Sequence, residues 1–205
     1  MNCRKLVLTI IFLLCGGIAF SQSDNNSLVS ALNQITNDTR KRTELLVFVK
    51  NLLEHDGISF YEELPYEYHG VDYAYAVNGK YLFVFEKSYG GAGSSYEDTK
   101  SYIIDTELKR LIQTRNLFTD LANSSFQRLI IEYLSQQENF DMVDQSDLRK
   151  SIIGTVFSLF YVRNAVGFQW DKGSVSAKTF GAYRIIIPYS KLQNYLTPIG
   201  KEVFK

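Results

Sequence analysis

His55 and His69 are the two imidazoles in a chain of 205 residues, and imidazole is the side chain best suited to proton transfer and metal ligation near neutral pH. Their separation is far from the i, i+4 spacing that places two ligands on one face of a helix. Glu54, His55 and Asp56 are contiguous donors, but neighbouring helical side chains point in different directions, so the trio reads as an exposed helix end rather than a metal site. Glu62 and Glu63 are adjacent in a strand-like run and would face opposite sides of a sheet, whereas a glycosidase pair must meet across one cleft. The glycine-rich run Ser88-Tyr89-Gly90-Gly91-Ala92-Gly93-Ser94-Ser95 lacks the Lys-Ser/Thr of a phosphate-binding loop and the spacing of a nucleophile elbow. Its glycines suit a tight loop between strands, and a loop of that kind can also present a binding surface.

The aromatic residues are the stronger binding candidates. The chain has 14 tyrosines and 14 phenylalanines, with Tyr61, Tyr66, Tyr68, Tyr73 and Tyr75 crowded together. In an alternating strand Tyr73 and Tyr75 share a face. Exposed, they form a flat platform with polar tips for a sugar ring or a protein; buried, they are ordinary sheet packing. Trp170 closes a strand before the Asp171-Lys172-Gly173 turn and carries the same two readings. The candidate ligand contacts are therefore Tyr73, Tyr75, Tyr89, Gly90, Gly91 and Trp170, with the turn after Trp170 as a further contact position. No catalytic residue, metal ligand or cofactor site is nominated by the pattern.

The N-terminus reads as an export signal. Arg4 and Lys5 precede the apolar run Leu6 to Leu14, which is too short to span a bilayer, and Ala19-Phe20-Ser21 offers small residues at the cleavage positions. Residues 1–21 are assigned to the signal peptide, giving a secreted or periplasmic protein. Lipid attachment at Cys15 is the alternative, although Leu14 before it is larger than such sites favour. Cleavage after Ser21 removes both cysteines, Cys3 and Cys15, so the remainder has no disulfide or thiol chemistry. It also leaves 20 basic against 22 acidic residues, a balance that suggests neither nucleic acid nor an anionic membrane surface as partner.

The elements that must position these residues follow from periodicity. Leu28, Val29, Leu32 and Ile35 recur at helical spacing, and Leu45 to Leu53 resumes it, making residues 22–56 an N-terminal helical segment. From Gly57 the pattern turns to strands: Ile58 to Leu64, then Val71 to Val77 and Tyr81 to Phe85 around Asn78-Gly79, a strong hairpin signal. Tyr102 to Asp105 and Leu108 to Ile112 flank Thr106-Glu107 as a second pair. Asn123-Ser124-Ser125 supplies N-caps for a helix carrying Phe126, Leu129, Ile130, Tyr133 and Leu134 on one face. A short helix within Asp141 to Ile153 precedes strands at Val156 to Val162, Ala165 to Trp170 and Tyr183 to Ile187, where Pro188 stops the last strand and Ser190 starts a helix. Short connections favour antiparallel pairing. The fold class is α+β: a single domain over residues 57–205 with a twisted, mainly antiparallel sheet, helices packed on one face, and the helical segment before it.

Two segments together carry a resemblance. Ser88-Tyr89-Gly90-Gly91-Ala92-Gly93 is similar to a Tyr-Thr-Gly-Gly-Ala-His motif, followed in order by Asp105, Leu108 and Leu117-Phe118. Phe160-Tyr161, Gly167-Phe168, Gly181 and Ile187-Pro188-Tyr189-Ser190 resemble the closing signature of the same family. The chain from Gly57 to Leu196 thus resembles the PdaC/RsiV-like extracytoplasmic domains, a family of unknown function that also forms the ectodomain of a lysozyme-sensing anti-sigma factor and accompanies some peptidoglycan deacetylases. The motif histidine is Gly93 here, so any role of that imidazole is absent. The resemblance implies a non-catalytic binding module of the bacterial cell envelope, with peptidoglycan or a wall-degrading protein such as lysozyme as partner. An envelope carbohydrate hydrolase using acidic residues gathered from distant strands, or an oligomeric structural envelope protein, are the alternatives.

Overall fold

The computed structural model describes residues 25–57, 69–90, 96–177 and 181–205. The expected signal peptide, the strand at Ile58 to Leu64 and Gly91 lie outside them.

The α+β reading holds, with the strands divided between two antiparallel sheets. β1 (His69–Asn78), β2 (Tyr81–Gly90), β3 (Tyr96–Asp105) and β4 (Arg110–Ile112) form the first, in the order β1-β2-β3-β4. β2 continues through Ser88, Tyr89 and Gly90, so the start of the expected glycine-rich loop is strand. The first hairpin turns one residue later than its Asn-Gly signal suggests: Asn78 is the last residue of β1, opposite Tyr81, and Gly79 and Lys80 make the turn. Gly79 takes the positive φ of 57°, which favours glycine. Asn78 is held in the strand from outside the hairpin, its Nδ2 donating to the Val203 carbonyl at 2.8 Å. At the β3–β4 turn the Asp105 carboxylate accepts the backbone N–H groups of Glu107 and Leu108 at 3.1 and 3.0 Å, so an aspartate closes the turn through its own side chain.

The first sheet is buried on both faces. Leu82, Val84, Tyr102 and Ile104 pack beneath α1 (Asn25–Ile35) and α2 (Thr39–Gly57), around Leu28, Leu32, Leu45, Val49 and Leu53. Asp38 caps α2 by accepting from the N–H groups of Arg40 and Lys41. The alternate residues Tyr81, Phe83 and Ile103 join the larger core on the other side. Through β2 and β3 the sheet is therefore a middle layer, and period-2 alternation sends the side chains of these two strands into two different cores.

β5 (Ser158–Val162), β6 (Ala165–Trp170) and β7 (Tyr183–Pro188) form the second sheet, in the order β5-β6-β7. The larger core lies between it, the first sheet and the helices α3 (Ser124–Leu134), α4 (Gln145–Ile153) and α6 (Pro198–Phe204). α3 carries its expected cap, Asn123 accepting from the N–H groups of Ser125 and Phe126, and buries Phe126, Ile130 and Leu134. The short α5 (Tyr189–Leu192) follows β7 with Pro188 at its N-cap and no side-chain cap, so the helix starts one residue before Ser190. Two glycines permit close approaches. A Cβ on Gly167 would lie 2.1 Å from the Phe160 ring, and one on Gly200 would lie 2.1 Å from the Leu117 carbonyl oxygen.

Candidate functional site

β4 pairs with β3 only from Ile103 to Asp105. Beyond Ile112 the chain leaves the sheet in a 3-10 turn, Thr114–Leu117. The outer edge of β3 before Ile103 therefore has no neighbouring strand from β4, and a cleft of about 550 Å³ opens there. Thr99 to Tyr102 form one wall, with Ile112 to Arg115, Thr155 to Ser158, and Asp171 and Ser174 around the rest.

The second sheet closes one end of this gap through side chains. The Asp171 carboxylate accepts from the Thr99 N–H at 2.9 Å and from the Thr99 hydroxyl at 2.6 Å. The Ser158 hydroxyl donates to the Thr99 carbonyl at 2.9 Å, and the Leu159 N–H donates to Ser101 Oγ at 2.8 Å. Gln169 extends the network, accepting from Arg184 Nε at 2.8 Å while the Arg184 guanidinium lies over the Phe160 ring. Burial pushes the Asp171 carboxyl above the usual aspartate value, against the pull of the hydrogen bonds from Thr99, with Asp98 adding to the rise. Arg184 is drawn down from the ordinary arginine value by its own burial. These groups pin two sheets together with most of their bonding capacity used internally.

The opposite lip is strained. Thr155 has φ 56°, the left-handed region that a β-branched residue seldom enters. It follows Gly154 at the C-terminus of α4, and its hydroxyl donates to the Gly154 carbonyl at 2.7 Å. Val156 beside it is 58% exposed on the cleft rim. Arg115 is also exposed, its Nε donating to Gln113 at 3.0 Å. The cleft thus combines hydroxyls, a guanidinium and an apolar rim. Asp171 is the one carboxylate among its described lining residues, and both its oxygens are engaged by Thr99, an arrangement that fits binding better than acid–base chemistry.

The sequence-derived contacts scatter. Tyr73 and Tyr75 share a face as expected, with ring centroids 6.3 Å apart, but they are half-buried and pack against the core under α1 and α2. Desolvation there pushes the Tyr75 hydroxyl up to about 12. Trp170 is a core residue and not a surface contact: it is 0% exposed, and its indole N–H donates to Ser151 Oγ at 2.8 Å. The apolar β6 buries all six of its residues, which takes the indole inside. Tyr89 is 38% exposed near the end of β2. Gly90 ends that strand, and Gly91 falls outside the described residues. Of the suggested positions, Asp171 lines the cleft. Thr99, Ser101, Ser158 and Thr155 carry no sequence signal, because polar residues in strands and turns are commonplace and only the meeting of two sheets brings these together.

No protein-family model matches the chain, and no curated protein matches it. The fold is similar to that of a member of the DUF3298 family from Bacteroides fragilis, with a TM-score of 0.50 and 15% identity over 80% of this chain and 67% of that one. A DUF3298 family protein from Pseudomonas aeruginosa gives a TM-score of 0.49 at 12% identity, over 81% of this chain and 83% of its own. Among the described residues no helix is long and apolar enough to cross a membrane.

Proposed function

We propose that this protein is a non-catalytic binding module of the bacterial cell envelope, secreted or periplasmic after removal of residues 1–21, and that it recognises peptidoglycan. The observation that carries the reading is the cleft beside β3: a gap of about 550 Å³ in which the sheet edge is left open and the lining mixes hydroxyls, a guanidinium and apolar side chains without a free carboxylate pair. The order of basic, apolar and small residues at the N-terminus supports export. The motif resemblance to the PdaC/RsiV-like domains supports an envelope setting. That resemblance also favours a second reading, in which the partner is a wall-degrading protein such as lysozyme.

The two are separated by incubating the mature protein with purified peptidoglycan and, in parallel, with immobilised lysozyme. Retention on peptidoglycan that is lost in Val156→Trp, whose exposed side chain would fill the cleft mouth, supports the first reading. Retention on lysozyme alone supports the second. Retention on neither, or peptidoglycan binding indifferent to Val156→Trp, counts against the cleft as the binding site.

A further inference from the structure

Within the cleft the open edge of β3 is one residue long, and that length says what can bind. In an antiparallel ladder alternate residues direct both N–H and C=O to the same side. Thr99 directs its pair away from β2, since its N–H reaches Asp171 and its C=O receives Ser158. Ile103 directs its pair the same way and meets Ile112 of β4. Ser101 lies between them, so its N–H and C=O face the cleft as well. Its side chain is already committed, accepting the Leu159 N–H. No residue of β4 pairs with it, and among the described residues no backbone group reaches it.

One residue of an extended peptide satisfies the N–H and C=O of a strand residue at ladder geometry by offering its own C=O and N–H, which belong to two consecutive amides. A sugar hydroxyl carries a donor and acceptors on one atom and so lacks the ladder spacing, and one trans acetamido group points its N–H and C=O in opposite directions. A full added strand would need several open positions, and Asp171 and β4 close the edge on either side of Ser101. The cleft therefore suits a short extended peptide. Arg115 adds a charge preference. It lines the same cleft, is exposed, and has no carboxylate partner among the described residues. A guanidinium with free N–H groups matches a carboxylate bidentately.

We infer that the cleft binds the end of a short peptide, one residue bridging to the Ser101 backbone and a terminal carboxylate meeting Arg115. The inference rests on the envelope reading and deepens it, assigning the recognised part of the wall polymer to its peptide rather than its glycan. The same chemistry occurs at the C-terminus of a protein, and stereochemistry tells the sources apart, because wall peptides end in D residues.

The test is titration of the ¹⁵N-labelled mature protein with N-acetyl-dialanine in D,D and L,L forms, each as free acid and as C-terminal amide, with tri-N-acetylchitotriose as the glycan probe. The expected result is a saturable shift of the Ser101 amide with a free acid, about tenfold weaker binding of the amide-capped peptide, and no shift with the trisaccharide. Arg115→Gln, an exposed substitution, should bring the acid-to-amide affinity ratio to about one. A Ser101 resonance unmoved by every peptide, or moved by the trisaccharide, overturns the inference, as does an Arg115→Gln protein that keeps the tenfold preference. Preference for the D,D acid identifies a wall peptide, and preference for the L,L acid a protein terminus. Peptidoglycan retention with an unmoved Ser101 sinks this inference alone, whereas a Ser101 shift without peptidoglycan retention sinks the envelope reading and keeps the peptide site.

Discussion

Trp170 is the single tryptophan of the chain and is fully buried, stacked at 6.2 Å on Phe168 and 5.7 Å from Phe157. Its emission should be blue-shifted and insensitive to iodide in the folded protein, and a spectrum resembling free tryptophan would contradict this placement. Trp170→Phe removes the indole donor to Ser151 and part of the packing volume, and should cost about 1–3 kcal/mol in denaturation followed by circular dichroism. Asp171 makes a different prediction. Its carboxyl sits above the ordinary aspartate value of 3.8 because of burial, so the folded state holds this proton more tightly than the unfolded state. Its contribution to stability is then fully present below pH 3.8 and is lost as pH rises through the raised value. Measured from neutral pH downward, the difference in melting temperature between wild type and Asp171→Asn should move in favour of wild type as pH approaches that window. Parallel melting curves across the range would show that Asp171 does not titrate as the structure implies.

Between elements, two glycines act as spacers. Gly167 of β6 makes room for the Phe160 ring on β5, and Gly200 of α6 makes room for the Leu117 carbonyl. The ring can tilt by small amounts, but the carbonyl belongs to the backbone of Leu117, the buried residue that ends its turn. Gly167→Ala should therefore cost about 1–3 kcal/mol, and Gly200→Ala should cost more, as seen in urea midpoints at unchanged slope. The reverse order would mean that α6 can lift from the core more easily than the Phe160 ring can move. At this scale much of the fold was legible. β6 begins and ends at the expected residues, Ala165 and Trp170, and the Asn123 cap and the face of α3 are as the periodicity implies. The hairpin turn differs by one residue: Gly79 takes the first turn position at positive φ, a local alternative to Asn-Gly, and Asn78 bonds to Val203 far along the chain, a partner about which local turn preference carries no information. The cleft was illegible for the same reason. Asp171 could be suspected from its turn, but Thr99 and Ser101 become distinctive only where β4 ends early and β5 arrives.

On the scale of the molecule, the first sheet sits between two hydrophobic cores, and β2 is apolar on both sides: Tyr81, Leu82, Phe83, Val84 and Phe85 are each no more than 4% exposed. A strand with one wet face has its alignment dictated by burial, since sliding it by one residue would turn greasy side chains into water. β2 lacks that safeguard, because a one-residue slide exchanges one apolar set for another. Glu86 supplies what hydrophobicity cannot. It is 2% exposed, and its carboxylate accepts the Tyr102 hydroxyl at 3.1 Å on the side facing the N-terminal helices. A slide by one would carry that charge among Phe83, Phe85 and Phe160, at a cost that an unpaired buried carboxylate makes prohibitive. Glu86→Leu should leave a protein that still collapses and keeps its strand content while its amide spectrum broadens or doubles. A single sharp set of resonances would show that the Gly79 turn is enough by itself. The buried carboxylate is in this sense a ruler laid along the sheet, there to forbid the nearly equivalent wrong answer.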